Sequence, residues 1–188
     1  MNSKNSKSEL APKSELVPKI VAEHKPKIAI YPGSFDPFTN GHLDIVHRAC
    51  EIFDQLVLAI AYNSSKKSTL FDIDERKEML TEVMADWPQV TVAVFEGLTT
   101  NYAYSVGATA IVRGIRAVTD FDYEYAIYQV NRDLEPKIDT VFLLASRDYS
   151  FLSSTIIKEV ARYGKTFEDY APAIVNDALL KKFGHKTE

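Results

Sequence analysis

From Lys27 onward the chain alternates between short apolar runs and longer segments in which apolar residues recur at helical spacing. The apolar runs are typical of strands buried on both faces of a sheet. They predict five strands, at residues 28–31, 56–61, 90–95, 109–112 and 140–144. The segments between and after them predict helices, among them residues 74–84, 99–106, 120–134, 153–163 and 172–183. This alternation predicts a Rossmann-like α/β fold: a doubly wound, five-stranded parallel sheet with helices on both faces.

The first strand, its loop and the helix that follows carry the densest pattern. Proline, glycine, aspartate and asparagine crowd into positions 32–41, which indicates a loop of specified backbone geometry. A helical pattern begins after His42, and the free N–H groups and dipole of a helix N-terminus favour phosphate there. Gly33 and Gly41 match neither the dinucleotide fingerprint nor the Walker loop. On these residues alone, a phosphate site and an ordinary structural loop both remain open.

Composition narrows the class of protein. A length of 188 residues suits one domain with a substantial core, and residues 1–26, which contain a near-repeat at 7–12 and 13–18, predict a low-complexity N-terminal tail. The net charge of −4 argues against a nucleic-acid partner. No apolar run approaches the ~20 residues of a membrane span, so we expect a cytoplasmic protein without a membrane partner. A single cysteine excludes an internal disulfide, and no histidine or cysteine cluster predicts a metal held by protein ligands.

Polar residues follow the predicted strands where ligands of such sheets bind, beyond the carboxyl ends. Lys66 follows the second strand, and Arg113 and Arg116 follow the fourth. Cations from separate loops suggest a polyanionic ligand, although surface loops also carry charge for solubility alone. Three hydroxyl residues at 153–155 open a predicted helix; N-capping needs only one of them, so the run favours a second phosphate site.

The order Gly-Ser-Phe-Asp-Pro, three residues, Gly-His at positions 33–42 resembles the phosphopantetheine adenylyltransferases. These belong to the nucleotidyltransferase superfamily with the His-x-Gly-His signature. Thr39 stands where that signature has its first histidine, which leaves His42 as the only signature imidazole. Further matching motifs lie at residues 113–116, 120–124, 131–132 and 151–155. The resemblance covers residues 27–183 and assigns a nucleotidyltransferase domain to residues 27–188, after the tail.

The resemblance implies an enzyme that transfers the adenylyl group of ATP to 4′-phosphopantetheine, giving dephospho-CoA and pyrophosphate in coenzyme A biosynthesis. The attacking phosphate is already an anion at neutral pH, so no general base is required, and no serine or cysteine has an evident partner base. The resemblance further implies His42 as the catalytic donor to the α-phosphate, Mg²⁺ bound mainly through the ATP phosphates, and a homo-oligomer, specifically a hexamer. It also raises the question of whether CoA inhibits the enzyme by feedback, which the sequence leaves open.

The implied site residues form an acceptor group and an ATP group. The acceptor group is Ser34, Lys66, Thr99 and Arg113. The ATP group, with Glu124 near the adenine or ribose, is Ser34, Phe35, His42, Gly114, Ile115, Arg116, Glu124, Tyr149, Ser150, Phe151, Leu152, Ser153, Ser154 and Thr155. Three alternatives remain: a nicotinamide mononucleotide adenylyltransferase, a cytidylyltransferase of the same superfamily, and a non-catalytic nucleotide sensor. Lys66 together with the Arg-Gly-Ile-Arg motif favours the pantetheine branch, and the intact set of His42, Ser34, Lys66 and Arg113 disfavours a sensor.

Overall fold

A computed structural model describes residues 25–62 and 69–186 of the chain. Its centre is a sheet of five parallel strands in the order β3-β2-β1-β4-β5. The strands are β1 (Ile28–Gly33), β2 (Gln55–Tyr62), β3 (Val90–Glu96), β4 (Ala110–Ile115) and β5 (Asp139–Leu144). The predicted five-stranded parallel sheet is therefore confirmed. The predicted tail, apart from Lys25 and Pro26, lies outside the described residues, and so does Lys66.

Six helices flank the sheet in the described ranges. They are α1 (Asn40–Cys50), α2 (Ile73–Val83), α3 (Thr99–Ser105), α4 (Val118–Leu134), α5 (Ser154–Arg162) and α6 (Ala173–Lys182). A single 3₁₀ turn, Arg147–Tyr149, lies between β5 and α5 and has no counterpart among the predicted elements. None of these helices is long and apolar enough to cross a bilayer.

The period of two along the strands sends alternate side chains to opposite faces of the sheet. On β1, Ala29 and Tyr31 join a cluster with buried residues of α1, α2, α5 and α6. Ile30, between them, joins a second cluster with Ala103 of α3. Helix α4 covers the same face as α3, because the rings of Phe121 and Tyr128 contact Phe142 of β5. Helices on both faces are thus confirmed, and β1 is buried on both sides, as its continuous apolar run predicted.

Strand β4 extends further than predicted. The sequence placed Arg113 to Arg116 in a loop, but Arg113, Gly114 and Ile115 pair with Phe142, Leu143 and Leu144 of β5. That part of the prediction was wrong because the hydrogen-bonding partner of these residues lies about thirty positions away, where a local pattern cannot show it. Arg113 therefore projects from a paired strand rather than from a loop.

The strand order reverses between β1 and β4. From β1 the chain proceeds outward to β2 and β3, then returns to pair β4 with the other side of β1. The loops that leave β1 and β4 therefore diverge to opposite sides and open a crevice beyond the strands' carboxyl ends, which is the usual ligand position in open α/β sheets.

Candidate active site

A cleft of about 350 Å³ occupies this crevice. Its walls come from the ends of β1 and β4, the first two turns of α1, and the segment from β5 to the start of α5. The lining residues are Tyr31, Pro32, Gly33, Ser34, Phe35, Thr39, Gly41, His42, Ile45, Arg113, Gly114, Arg116, Ala145, Tyr149, Leu152, Ser153, Ser154 and Thr155. The volume lies in the range of small-molecule sites.

The loop after β1 turns sharply at Phe35, whose φ of 45° lies in the left-handed region that non-glycine residues seldom adopt. The turn folds the buried Phe35 ring back over Gly33, where an added Cβ would lie 2.8 Å from two ring carbons. Arg76 of α2 holds the same loop from behind by donating to the Ser34 carbonyl at 2.7 Å. Gly33 therefore permits a close approach, and Ser34 is left exposed at the lip of the cleft.

Asp36 ties this loop to two other parts of the fold. Its buried carboxylate accepts hydrogen bonds from the main-chain N–H groups of Leu70 and Phe71, each at 2.9 Å. Lys158 of α5 donates to the same carboxylate at 3.0 Å. Asp36 therefore joins the β1–α1 loop to α5 and to the chain just before α2, and it fixes the position of that loop.

Helix α1 begins three residues earlier than the pattern suggested, at Asn40, with Thr39 as its N-cap. The Thr39 hydroxyl accepts from the His42 main-chain N–H at 3.2 Å, and the Asn40 N–H donates to the Tyr170 carbonyl at 2.9 Å. Two of the first three helical amides thus already have protein acceptors. Fewer main-chain amides of this helix are therefore left to bind a phosphate than the sequence predicted. The polar side chain that α1 contributes to the lining of the cleft is His42.

The His42 imidazole lies in an aromatic surround. Its ring stacks on Phe38 at a centroid distance of 5.4 Å and meets the edge of Phe35 at 5.3 Å. Burial, together with the positive charge of Arg116, lowers the pKa of His42 to about 4. The imidazole is therefore neutral at pH 7 and can donate only through one ring nitrogen.

Arg113 and Glu124 form a bidentate ion pair beside the cleft. The Arg113 Nε donates to Glu124 Oε2 at 2.7 Å, its Nη2 donates to Oε1, and its Nη1 donates to the Pro32 carbonyl at 3.1 Å. The side chains are 25% and 11% exposed, so most of the pair is out of water. Planar fork-to-carboxylate pairing of this kind fixes the orientation of the guanidinium. Glu124 is thus buried on α4 and faces Arg113, where a helical glutamate would ordinarily face solvent.

Arg116 bridges β4 and the segment before α5. It donates to the Leu152 carbonyl at 3.1 Å and forms an ion pair with Asp120 at the same distance. At the start of α5, the Ser153 hydroxyl caps the helix by accepting from the Ile156 N–H, and Ser154 donates to the Pro37 carbonyl at 2.8 Å. N-capping by Ser153 is the simpler of the two roles that the sequence left open for this run.

The cleft brings together most of the residues that the sequence singled out: Ser34, Phe35, His42, Arg113, Gly114, Arg116, Tyr149, Leu152, Ser153, Ser154 and Thr155 all line it. Ile115, Glu124, Ser150, Phe151 and Thr99 do not; Ile115 is buried in the core and Thr99 opens α3. Lys66 lies outside the described residues. Within the described ranges, no group of three or more histidine, cysteine or acidic side chains is arranged to hold a metal.

The sequence did not single out seven lining residues, namely Tyr31, Pro32, Gly33, Thr39, Gly41, Ile45 and Ala145, as ligand contacts. Two of them had a usable signal. Ile45 follows His42 by three positions, which places both on one side of α1. Thr39 precedes His42 by three positions, the spacing of an N-cap hydroxyl and the third helical residue.

Comparisons with known proteins identify the family. A family model described as cytidylyltransferase-like matches residues 30–160. A phosphopantetheine adenylyltransferase of Leptospira biflexa serovar Patoc is 53% identical over 156 residues, which is 83% of this chain and 97% of the relative. One from Desulforudis audaxviator is 51% identical over 162 residues, 86% of this chain and 99% of the relative. The chain belongs to the phosphopantetheine adenylyltransferase family.

Solved structures of two nucleotide adenylyltransferases are similar to this family member in fold. A putative nicotinate-nucleotide adenylyltransferase from Vibrio parahaemolyticus superposes with a TM-score of 0.66 at 19% identity, covering 87% of this chain and 98% of that one. A bifunctional NMN adenylyltransferase/ADP ribose pyrophosphatase from Francisella tularensis also gives 0.66, at 16% identity over 86% of this chain; this chain spans about half of that longer protein, 51%. At such identities the likeness establishes the architecture alone.

The buried imidazole of this family member predicts a stability that falls in acid. An unfolded His42 binds its proton near pH 6.5, whereas the folded one does so only near 4. Between those values the unfolded chain binds more protons, so the free energy of unfolding should fall as the pH is lowered from about 7 to about 4, by about 3 kcal/mol from this group. Urea unfolding across that range should show a steeper pH dependence for the wild type than for His42→Gln. Equal slopes would contradict it.

Proposed function

We propose that this chain transfers the adenylyl group of ATP to 4′-phosphopantetheine. The phosphate oxygen of phosphopantetheine attacks the α-phosphorus of ATP, the bond to the bridging oxygen of the β-phosphate breaks, and dephospho-CoA and pyrophosphate result. The observation that carries the proposal is the convergence of His42, Arg113 and the start of α5 on one cleft in a member of this family. The nucleophile is an anion already, so the protein contributes alignment and charge stabilisation, which can supply ~7–11 kcal/mol of the barrier.

His42 is the proposed donor to the α-phosphate. Its position on the first turn of α1 places the imidazole between the end of β1 and the segment after β5. A neutral donor suits this role, because it stabilises charge that builds up on the α-phosphoryl oxygens without having to lose a proton. The aromatic surround keeps the ring fixed, so no reorganisation is needed as the reaction proceeds.

The acceptor phosphate is proposed to lie near Arg113, with Ser34 between it and the α-phosphate. Arg113 enters the cleft from the end of β4 with its orientation fixed by Glu124. Lys66 would approach from the loop after β2, and Thr99 would line the path of the pantetheine arm. Strands β2 and β3 are parallel to β1 and end at the same carboxyl edge of the sheet.

The proposed ATP side is the wall formed by residues 114–116, Glu124 and 149–155. Arg116 links the two halves of this wall through the Leu152 carbonyl. The N-terminus of α5 carries the positive end of the helix dipole, which favours a bound anion. Thr155, in the first turn of this helix, is exposed. Direct contact of Glu124 with the adenine or ribose remains part of the proposal; its role through Arg113 is argued in the Discussion.

Mg²⁺ is proposed to travel with ATP. The described lining of the cleft offers hydroxyl and carbonyl oxygens and contains no carboxylate side chain. Such a donor set fits an ion whose ligands are mainly phosphate oxygens and water, which is how Mg²⁺ is commonly bound at nucleotide sites. When bound, the ion neutralises charge on the triphosphate; the protein's share is to receive the complex against Arg116 and the α5 N-terminus.

A homo-oligomer, proposed as a hexamer, fits the surface of α4 and β5. β5 is an edge strand of the sheet, and the helix beside it exposes several large apolar side chains. They are Val118, Phe121, Tyr123, Tyr125, Val130 and Leu134, joined by Leu144 of β5. Exposed apolar side chains in this number are typical of an interaction surface, and a second copy of the chain is the proposed partner. A cytoplasmic location and feedback by CoA complete the proposal.

Pyrophosphate release tests the proposed reaction. The protein is given ATP and Mg²⁺ with one acceptor at a time: 4′-phosphopantetheine, nicotinamide mononucleotide, or none, and then CTP with phosphocholine. We expect release only with ATP and phosphopantetheine. Release with another acceptor and none with phosphopantetheine would overturn the proposal, and binding of ATP without any turnover would favour a nucleotide sensor.

Lys66 provides a prediction that separates the two substrates. If it holds the acceptor phosphate, Lys66→Ala should raise the KM for phosphopantetheine roughly tenfold to a hundredfold, the equivalent of one charge-assisted hydrogen bond, and leave the Kd for ATP nearly unchanged. Lys67→Ala is the matched control, because the adjacent side chain should point elsewhere, and it should be mild. Calorimetry that found ATP binding weakened as much as acceptor binding would refute the assignment.

A further inference from the structure

Thr39 makes three polar contacts with His42, and two of them converge on a single ring nitrogen. The Thr39 main-chain nitrogen lies 3.0 Å from His42 Nδ1, and the Thr39 side-chain oxygen lies 2.9 Å from the same atom. The same oxygen accepts the His42 main-chain N–H at 3.2 Å. Thr39 is buried, with 2% of its surface exposed, so water does not compete for these contacts. In an ordinary capping box a glutamate or glutamine reaches back to the N-cap N–H; here an imidazole does so.

This geometry decides which nitrogen of His42 carries the proton. A main-chain N–H can only donate, so Nδ1 must present its lone pair to Thr39 and cannot itself be protonated. The hydroxyl is compatible, because its oxygen accepts from the His42 main-chain N–H while its own hydrogen is free to point at Nδ1. A neutral imidazole then carries its hydrogen on Nε2. That nitrogen is on the side of the ring away from Thr39 and is the one available to a ligand in the cleft.

We propose that Thr39 is the positioning residue for His42, holding Nδ1 as an acceptor so that Nε2–H is the donor presented to the transferring phosphoryl group. The inference rests on the proposed function for its catalytic meaning, although the tautomer itself does not. It also gives a role to the departure from the His-x-Gly-His signature: the residue at the first signature position acts here through the second histidine. The other groups around the ring are the aromatic side chains of Tyr31, Phe35 and Phe38, and the positive charge of Arg116.

Nitrogen NMR tests the tautomer in the free protein. The full-length chain is labelled with ¹⁵N-histidine, and the His42 signals are identified by their loss in His42→Gln. At pH 7 we expect a protonated Nε2 and an unprotonated Nδ1. A protonated Nδ1 in the wild type would overturn the proposal, whatever the behaviour of the variants. Because this readout needs no substrate, it also separates the tautomer from the activity: the expected signals in a protein that releases no pyrophosphate would contradict the proposed function alone.

Two variants of Thr39 test its contribution. Thr39→Val preserves the shape and the main-chain N–H but removes the hydroxyl. Nε2 should therefore stay protonated, the Nδ1 signal should shift because that nitrogen loses one of its two hydrogen bonds, and kcat should fall roughly threefold to tenfold with little change in either KM. Thr39→Ser restores the hydroxyl and should return both readouts to wild type. The control is Thr100→Val: Thr100 is equally buried, in the first turn of α3, and its hydroxyl has no partner among the described residues. Wild-type His42 signals and wild-type kcat in Thr39→Val would overturn the role of Thr39.

Discussion

His42→Ala should lower kcat about 10²- to 10³-fold while the Kd for ATP changes little. The imidazole is proposed to contact charge that develops on the α-phosphoryl group, and removal of one such donor typically costs about 3–4 kcal/mol of transition-state stabilisation. The ground-state triphosphate is proposed to have other partners at Arg116 and the start of α5, which the substitution leaves in place. Steady-state kinetics give kcat, single-turnover kinetics give the rate constant of the chemical step, and calorimetry gives the Kd for ATP.

His47→Ala is the matched control for this experiment. His47 is on the same helix with its side chain 60% exposed, and its ring meets the edge of Trp87 rather than the cleft. It should retain near-normal turnover and ATP binding. A His42→Ala protein with near-normal kcat would show that the transition-state role is mistaken. If its sole defect were weak ATP binding, the imidazole would be a binding group instead.

Glu124→Ala should have the largest effect on stability among the substitutions near the cleft. It leaves the mostly buried guanidinium of Arg113 without its carboxylate partner, and breaking a buried pair in this way typically costs 3–5 kcal/mol. Because the Arg113 side chain keeps a quarter of its exposure, water partly solvates the uncompensated charge, and we expect a loss of about 3 kcal/mol. Urea unfolding at pH 7 measures it.

The same substitution should also affect the acceptor. If Arg113 binds the phosphate of phosphopantetheine as proposed, its loss of orientation should weaken that contact, and the KM for phosphopantetheine should rise more than the KM for ATP. Glu82→Ala, on the exposed side of α2, is the control and should change neither stability nor kinetics appreciably. An unfolding free energy for Glu124→Ala close to the wild-type value would mean that the pair does not stabilise the fold. If ATP binding fell instead, Glu124 would be serving the nucleotide directly.

The sheet was predictable because each strand is a short apolar run that can be recognised from the local sequence. Apolar runs such as residues 56–61 can be stable only when covered on both faces, and their alternation with helical spacing leaves few topologies to choose from. The position of the cleft followed from the same rule, since ligands of such sheets bind where the strand order reverses. His42, Arg113 and the hydroxyls at 153–155 could therefore be brought to one edge before any contact was known.

Side-chain partners were not predictable, because they depend on residues far apart in the chain. Nothing around Glu124 indicates that both its oxygens bind Arg113, eleven positions earlier on a different element. The hydrogen bond from Arg76 to the Ser34 carbonyl spans 42 positions. The contact of Thr39 with His42 is the exception: it is local, and its spacing is that of a capping box, but the third helical residue is an imidazole rather than a carboxylate or an amide.

The fate of the α-phosphorus of ATP tests the central claim most directly. The protein is incubated with Mg²⁺, 4′-phosphopantetheine and ATP that carries an isotopic label at the α-phosphorus, and the products are separated and identified by mass. We predict that the label appears in dephospho-CoA, in an amount equal to the pyrophosphate released. Label that stays in ATP, or that appears in AMP without any dephospho-CoA, would contradict the transfer.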